Sequence, residues 1–142
     1  MTVVMKETRR FTSQLENLSE ICDFVTHCAK ECGLSEAQVY AVQLAVDEAA
    51  TNIIEHAYHG CTTDDFEITC EVVPEGLQVV LRDKGQSFDP ANVPQPLLNV
   101  PLEELRSRGL GIFLMRKMMD VVEFQSVPQE GNVLRMVKKR SG

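Results

Sequence analysis

The stretch SEAQVYAVQLAVDEAATNIIEHAYHG, Ser35 to Gly60, decides how the rest of the chain is read. Ser35 followed three residues later by Gln38 has the spacing of a capping box, in which each residue satisfies a backbone N–H of the other at a helix start. A helix running from there toward Ala57 turns about 100° per residue. That turn places Val42, Val46, Ala49, Ile53 and Ala57 on one stripe facing a core. Glu48, Asn52 and His56 fall together on the strip beside it, while Asp47 points toward solvent. A carboxylate and an amide one turn apart at a core margin need partners or ligands, because leaving them unpaired costs roughly 1–3 kcal/mol each. Oxygen groups of this kind suit Mg²⁺, which takes one or two protein ligands and completes its shell with phosphates. On this helix alone, the same spacing also fits a solvated edge with an ordinary i,i+4 contact.

Working outward, Leu15, Leu18, Ile21, Cys22, Val25, Ala29 and Cys32 recur at helical spacing, with Gly33 placed as a C-cap. Residues Thr2 to Thr12 read as an edge strand. Downstream, Phe66, Ile68, Cys70 and Val72 alternate with polar residues, as do Leu77, Val79 and Leu81. Pro74-Glu75-Gly76 between the two runs reads as a hairpin turn. No period holds from Lys84 to Arg108, a stretch with four of the six prolines (Pro90, Pro94, Pro96, Pro101). It also carries Leu97, Leu98, Leu102 and Leu105, too apolar for a tether, and a short helical turn is expected from Pro101. A loop of this length inside a domain reads as a lid over a ligand, spanning about residues 86–108. Gly109-Leu110-Gly111 opens a helix through Met119. Strands near Val121–Val127 and Val133–Lys138 follow, joined by a turn at Gln129-Glu130-Gly131. This order predicts an α+β two-layer sandwich: a mainly antiparallel mixed sheet covered on one face by about three helices, in a single domain over residues 1–142.

Composition agrees with that reading. The chain has 142 residues, is 44% hydrophobic and 25% charged, and carries a net charge of −7. Such a charge argues against a general nucleic-acid binder, yet leaves open an anionic ligand held by backbone amides. No apolar run approaches the ~18 residues of a membrane helix, and the N-terminus lacks signal-peptide order, so a cytoplasmic protein without membrane partners is expected. The five cysteines, odd in number and without a CxxC pair, read as reduced structural thiols rather than as a disulfide or a zinc site built on His27, Cys28 and Cys32. Met115, Met118 and Met119 read as core filling. The closing Lys138-Lys139-Arg140 run reads as a solvated tail.

Two further constellations carry chemistry. Asp83-Lys84-Gly85 ends a predicted central strand, where a carboxylate can accept hydrogen bonds from a ligand's amino group and a glycine admits close approach. Arg108-Gly109-Leu110-Gly111 starts a helix whose exposed amides and dipole favour an anion. Each is weak alone. In order along one chain, an E-x-x-x-N helix, a strand ending D-x-G, a Pro-rich lid and an R-G-x-G helix start are far more specific.

DEAATNIIEHAYHG (Asp47–Gly60), LRDKGQSFDP (Leu81–Pro90) and RGLGIFLMRKMMDVVEF (Arg108–Phe124) resemble the N, G1 and G2 boxes of the gyrase/histidine-kinase/MutL-type (GHKL, Bergerat-fold) ATPases. Within that superfamily the chain most resembles the anti-sigma factor serine/threonine-protein kinases. The resemblance covers nearly the whole chain; Ser87 stands where many members carry a second G1 glycine. It implies ATP and Mg²⁺ as cofactors, with Asn52 binding Mg²⁺ and Glu48 acting as general base. It further implies that Asp83 hydrogen-bonds the adenine amino group, with Gly85 making room for the ring. Gly109 and Gly111 would cradle phosphates, and Arg108 or Arg106 would reach the γ-phosphate. His56, Phe88 and Leu110 complete the implied nucleotide-binding set.

The implied function is phosphorylation of an anti-anti-sigma (STAS-type) protein on Ser or Thr, coupled to sequestration of a sigma factor, by a homodimer. The alternative is a non-catalytic, nucleotide-gated module that sequesters a sigma factor or another regulator.

Overall fold

The α1–α2 corner fixes the helical layer. In a computed structural model, which describes residues 5–58, 65–84, 110–127 and 131–140, α1 spans Leu18–Glu31 after a short 3₁₀ turn at Leu15–Asn17, and α2 spans Glu36–Tyr58. Gly33 adopts φ +85°, which costs glycine little and a side-chain-bearing residue much. Its N–H bonds to the Lys30 carbonyl at 3.0 Å, and that of Leu34 to Ala29 at 3.3 Å, a Schellman closure of α1. The capping box forms as the sequence predicts. Ser35 N–H donates to Gln38 Oε1 at 2.8 Å, and Gln38 N–H to Ser35 Oγ at 3.2 Å.

The five strands are β1 (Lys6–Phe11), β2 (Phe66–Val73), β3 (Gly76–Asp83), β4 (Val121–Val127) and β5 (Gly131–Lys139), with α3 (Leu110–Met118) between β3 and β4. They lie in the order β1-β2-β3-β5-β4, and all four pairings are antiparallel. The strand period sorts the two faces. Phe66, Ile68, Cys70, Leu77, Val79, Leu81, Leu134 and Met136 are buried in the core shared with the helices. Glu67, Glu71, Gln78 and Arg135 alternate with them and form a polar lattice on the other face. Its members include Arg10 to Glu67 at 2.6 Å, Arg135 to Gln78 at 2.8 Å and Arg135 to Glu123 at 3.1 Å. Exposed pairs of this kind contribute at most about 1 kcal/mol each, so the apolar face holds the sheet to the helices.

Helix α2 packs against both α1 and α3 as well as the sheet, and this widens its buried surface beyond one stripe. Val42, Ala45, Val46, Ala49, Ala50 and Ile54 are all buried. Ile54 thus takes the core position that the sequence assigns to Ile53, and Ile53 is left half-buried.

The expected solvated tail is corrected in part: Lys139 and Arg140 are exposed, but the run is tied to the rest of the fold. Lys138 Nζ donates to the Met118 carbonyl that ends α3, at 2.8 Å. Arg140 donates to the carbonyls of Cys32 at 3.1 Å and Pro74 at 3.0 Å, and Gln38 Nε2 donates to those of Lys139 and Arg140. A basic run at the end of β5 therefore serves as a clasp, because orphan carbonyls of two helices and a hairpin turn converge there and cations satisfy them.

Cys22, Cys28, Cys32 and Cys70 are free thiols, all but Cys22 buried. A hydrogen bond to Cys28, with burial, holds the Cys70 thiol well above the ordinary thiol range. Met115 and Met119 are buried and Met118 packs against the core, as core fillers should. The expected lid, the turn at Pro101, Cys61 and the Gln129-Glu130 part of the last turn lie outside the described residues. No described helix is long and apolar enough to cross a membrane.

Candidate functional site

Glu48 sits deeper than its sequence position suggests. At 2% exposure it lies inside the protein, not at the margin of the core. The reason is α3, whose start closes over this face of α2. A Cβ at Gly111, the second residue of α3, would stand 3.1 Å from Glu48 Oε2, 3.5 Å from Asn52 Nδ2 and 3.6 Å from Asn52 Oδ1. The E-x-x-x-N pair and the glycine of the R-G-x-G helix start therefore meet, though 59 residues of sequence separate Asn52 from Gly111. A carboxylate and an amide at the positive end of a helix dipole form an oxygen-rich corner suited to a cation and the phosphates it bridges.

A second corner forms where β3 ends. The register sets Asp83 opposite Asn132 at the start of β5, and Asn132 Nδ2 donates to Asp83 Oδ1 at 3.1 Å. Gly131 beside it adopts φ +103°, and a Cβ there would collide with the Asp83 carbonyl, so β5 begins pressed against the end of β3.

One cleft joins the two corners. Ala49, Ile53, Met115, Phe124 and Leu134 give it apolar walls, and Asn52, Asp83, Gln125 and Asn132 give it polar groups. Apolar walls with a few placed polar groups are the usual form of a small-molecule site. The donor set fits an adenine nucleotide with a divalent cation: an acceptor carboxylate at one end, oxygen ligands and helix amides at the other. Among the described residues, no buried side-chain nitrogen or oxygen lacks a hydrogen-bond partner.

Of the residues singled out in the sequence, Glu48, Asn52 and Gly111 come together, and Asp83 lies on the same cleft. Leu110 begins α3 and His56 lies near the end of α2, each with its side chain outside the described set. Gly85, Phe88, Arg106, Arg108 and Gly109 lie outside the described residues. Asn132, Phe124 and Gln125 line the cleft without having been singled out. Phe124 and Gln125 follow an ordinary strand pattern, and Asn132 becomes visible only once β3 is known to pair with β5.

Comparison with known proteins gives the same assignment. Residues 11–138 match the histidine kinase-like ATPase domain family. The serine-protein kinase RsbW of Oceanobacillus iheyensis is 30% identical over 114 residues, covering 78% of this chain and 71% of that protein. RsbW of Halalkalibacterium halodurans is 30% identical over 118 residues, 80% of this chain and 70% of its own length. The anti-sigma F factor of Caldanaerobacter subterraneus is 34% identical over 137 residues, 91% of this chain and 90% of that protein. With a family match that spans most of its length, the chain belongs to the histidine kinase-like ATPases, in the branch of the RsbW serine-protein kinases and anti-sigma F factors.

Proposed function

We propose that the chain is an ATP-dependent protein serine/threonine kinase that acts as an anti-sigma factor, phosphorylating an anti-anti-sigma protein of the STAS type. The observation that carries this reading is the buried Glu48 at the start of α3, beside Asn52, which lines the cleft that ends at Asp83. A mere nucleotide-binding surface has no need of a carboxylate at that depth.

The roles follow from position. Asp83 accepts from the amino group of adenine, and the apolar walls hold the ring. Asn52 ligates Mg²⁺, which when bound neutralises phosphate charge and aligns the transferring group. The amides at the start of α3, Gly111 among them, hold phosphate oxygens. Arg106 or Arg108 stabilises charge on the γ-phosphate, and Gly85, Phe88, Gly109, Leu110 and His56 complete the nucleotide contacts. Glu48 takes the proton of the acceptor hydroxyl as the seryl oxygen bonds to phosphorus and the bond to the leaving ADP oxygen breaks. General-base help of this kind is worth typically ~10²–10⁴-fold. A sigma factor as the second partner, a homodimeric state and a cytoplasmic location belong to the same proposal.

The test pairs two variants. Asp83→Asn is expected to abolish Mg²⁺-dependent ATP binding in calorimetry. Glu48→Gln is expected to keep ATP binding and lose radiolabel transfer to a serine-bearing STAS protein. Transfer that survives Glu48→Gln removes the base assignment. ATP binding by the wild type without transfer to any STAS protein tried would favour nucleotide-gated sequestration, and no ATP binding at millimolar concentration would overturn the proposal.

A further inference from the structure

We propose that Lys138 is a positioning residue that sets, through α3, where the helix start facing Glu48 and Asn52 stands, and thereby how well the cleft holds phosphates. The inference rests on the reading of the start of α3 as the phosphate end of an ATP site.

Lys138 stands where the sheet calls for an apolar side chain. Met136 and Leu134, two and four residues before it on β5, lie in the core, and Lys138 itself pairs with the fully buried Leu77. Its side chain is only 19% exposed. A charge held on that face costs free energy that a leucine would not. What the lysine gains is one particular carbonyl. Its Nζ donates to Met118, the last residue of α3, at 2.8 Å, and lies 3.9 Å from Asp120 Oδ2. Two backbone bonds tie the same end of the helix to β5: Asp120 N–H to the Val137 carbonyl at 2.9 Å, and Lys139 N–H to Asp120 Oδ2 at 2.7 Å. The anchoring strand is itself pressed onto β3, since a Cβ at Gly76 would collide with the Lys138 carbonyl.

The other end of α3 has little slack. Gly111 lies seven residues before Met118, about 10 Å along the axis, and a Cβ there would already stand 3.1 Å from Glu48 Oε2. The buried Ile112 and Met115 hold α3 against sideways movement. Apolar contact is non-directional, however, and fixes position along the axis less sharply than hydrogen bonds do. A cation on the last carbonyl also complements the helix dipole and keeps the final turn from fraying. The anchor at Met118 thus decides how far α3 reaches toward Glu48 and Asn52.

The experiment is calorimetry with Mg²⁺, well below the melting midpoint of each protein. The ligands are ATP, which spans both ends of the cleft, and adenosine, which has no phosphates. The proteins are wild type, Lys138→Met, Lys138→Arg and Asp120→Ala. The wild type is expected to prefer ATP by at least about tenfold. Lys138→Met keeps the stem and loses the donor; it is expected to weaken ATP about fivefold, as a helix start displaced by a few tenths of an ångström would, and to leave adenosine within about twofold. Lys138→Arg keeps a charged donor and is expected to bring ATP back to within about twofold of wild type. A merely structural lysine would lower the melting midpoint and leave the ratio of the two affinities where it was. Equal weakening of both ligands by Lys138→Met, weakening of neither, or a loss that Lys138→Arg does not relieve would therefore overturn the proposal. If Lys138→Met does not melt cooperatively, Asp120→Ala takes its place, and a wild-type ratio in that variant overturns the proposal. A wild type that binds adenosine as tightly as ATP instead refutes the phosphate reading of α3 on which it stands.

Discussion

Alanine at position 111 would bring a Cβ to 3.1 Å from Glu48 Oε2 while meeting Asn52 at 3.5 and 3.6 Å. Favourable contacts of carbon lie at about 3.5–4.0 Å, so Asn52 is undisturbed and Glu48 must retreat by a few tenths of an ångström. At 2% exposure that carboxylate has no solvent to retreat into, and its movement is taken up by its neighbours. Misplacement of a reacting group by 1 Å costs on the order of 10²-fold, and a shift of about a third of that scales to roughly fivefold in transfer rate. Alanine keeps the backbone N–H that the phosphates would use, so ATP affinity is expected to stay within about twofold. Stability moves the other way or barely at all. Replacing glycine in a helix gains up to about 1 kcal/mol, which the contact with Glu48 partly offsets. The assays are radiolabel transfer with ATP varied, calorimetric ATP binding and a thermal melt of Gly111→Ala. Unchanged transfer by a folded variant would refute the positioning of Glu48 by this glycine. A wholesale loss of ATP binding with unaltered turnover of the bound fraction would mean that position 111 serves the phosphates alone.

Arg140→Ala is expected to cost about 1–3 kcal/mol in denaturant melts, since the carbonyls of Cys32 and Pro74 lose a charged donor, and to leave ATP affinity unchanged; an unaltered midpoint would make the clasp ornamental. Under native conditions near pH 8, iodoacetamide is expected to label Cys22 well ahead of Cys70, whose thiol is held protonated by its hydrogen bond to Cys28 and by burial. Peptide mapping that finds Cys70 modified as fast as Cys22 would contradict that.

The helical layer was legible because its signals are local. Gly33 with its Schellman bonds and the Ser35–Gln38 box lie within a few residues of what they control. The same holds for the β2–β3 hairpin, whose turn residues sit between two alternating runs. Legibility failed where two distant segments decide the outcome together. The depth of Glu48 depends on the start of α3, the core rank of Ile54 over Ile53 depends on what flanks α2, and the tie from Asn132 to Asp83 depends on a register between strands 49 residues apart. The basic run at 138–140 is exposed at Lys139 and Arg140, as charge alone suggests, but the carbonyls that Lys138 and Arg140 satisfy are invisible in one dimension.

Strand β5 enters the sheet between β3 and β4, although it follows every other described element along the chain. Until it arrives, two strand edges stay open in the middle of the molecule, and open edges are templates for mispairing. Closing that gap joins segments far apart in sequence, which makes it a slow and late event. The same insertion delivers Asn132 to Asp83 and Arg140 to the α1–α2 corner. Completion of the fold and assembly of the cleft are therefore a single event. A nascent or truncated chain lacking β5 would have the acid, the amide and the glycine, yet no finished pocket. ATP, by binding only the completed form, would act as the chain's own folding effector, drawing the open-sheet population toward closure by mass action.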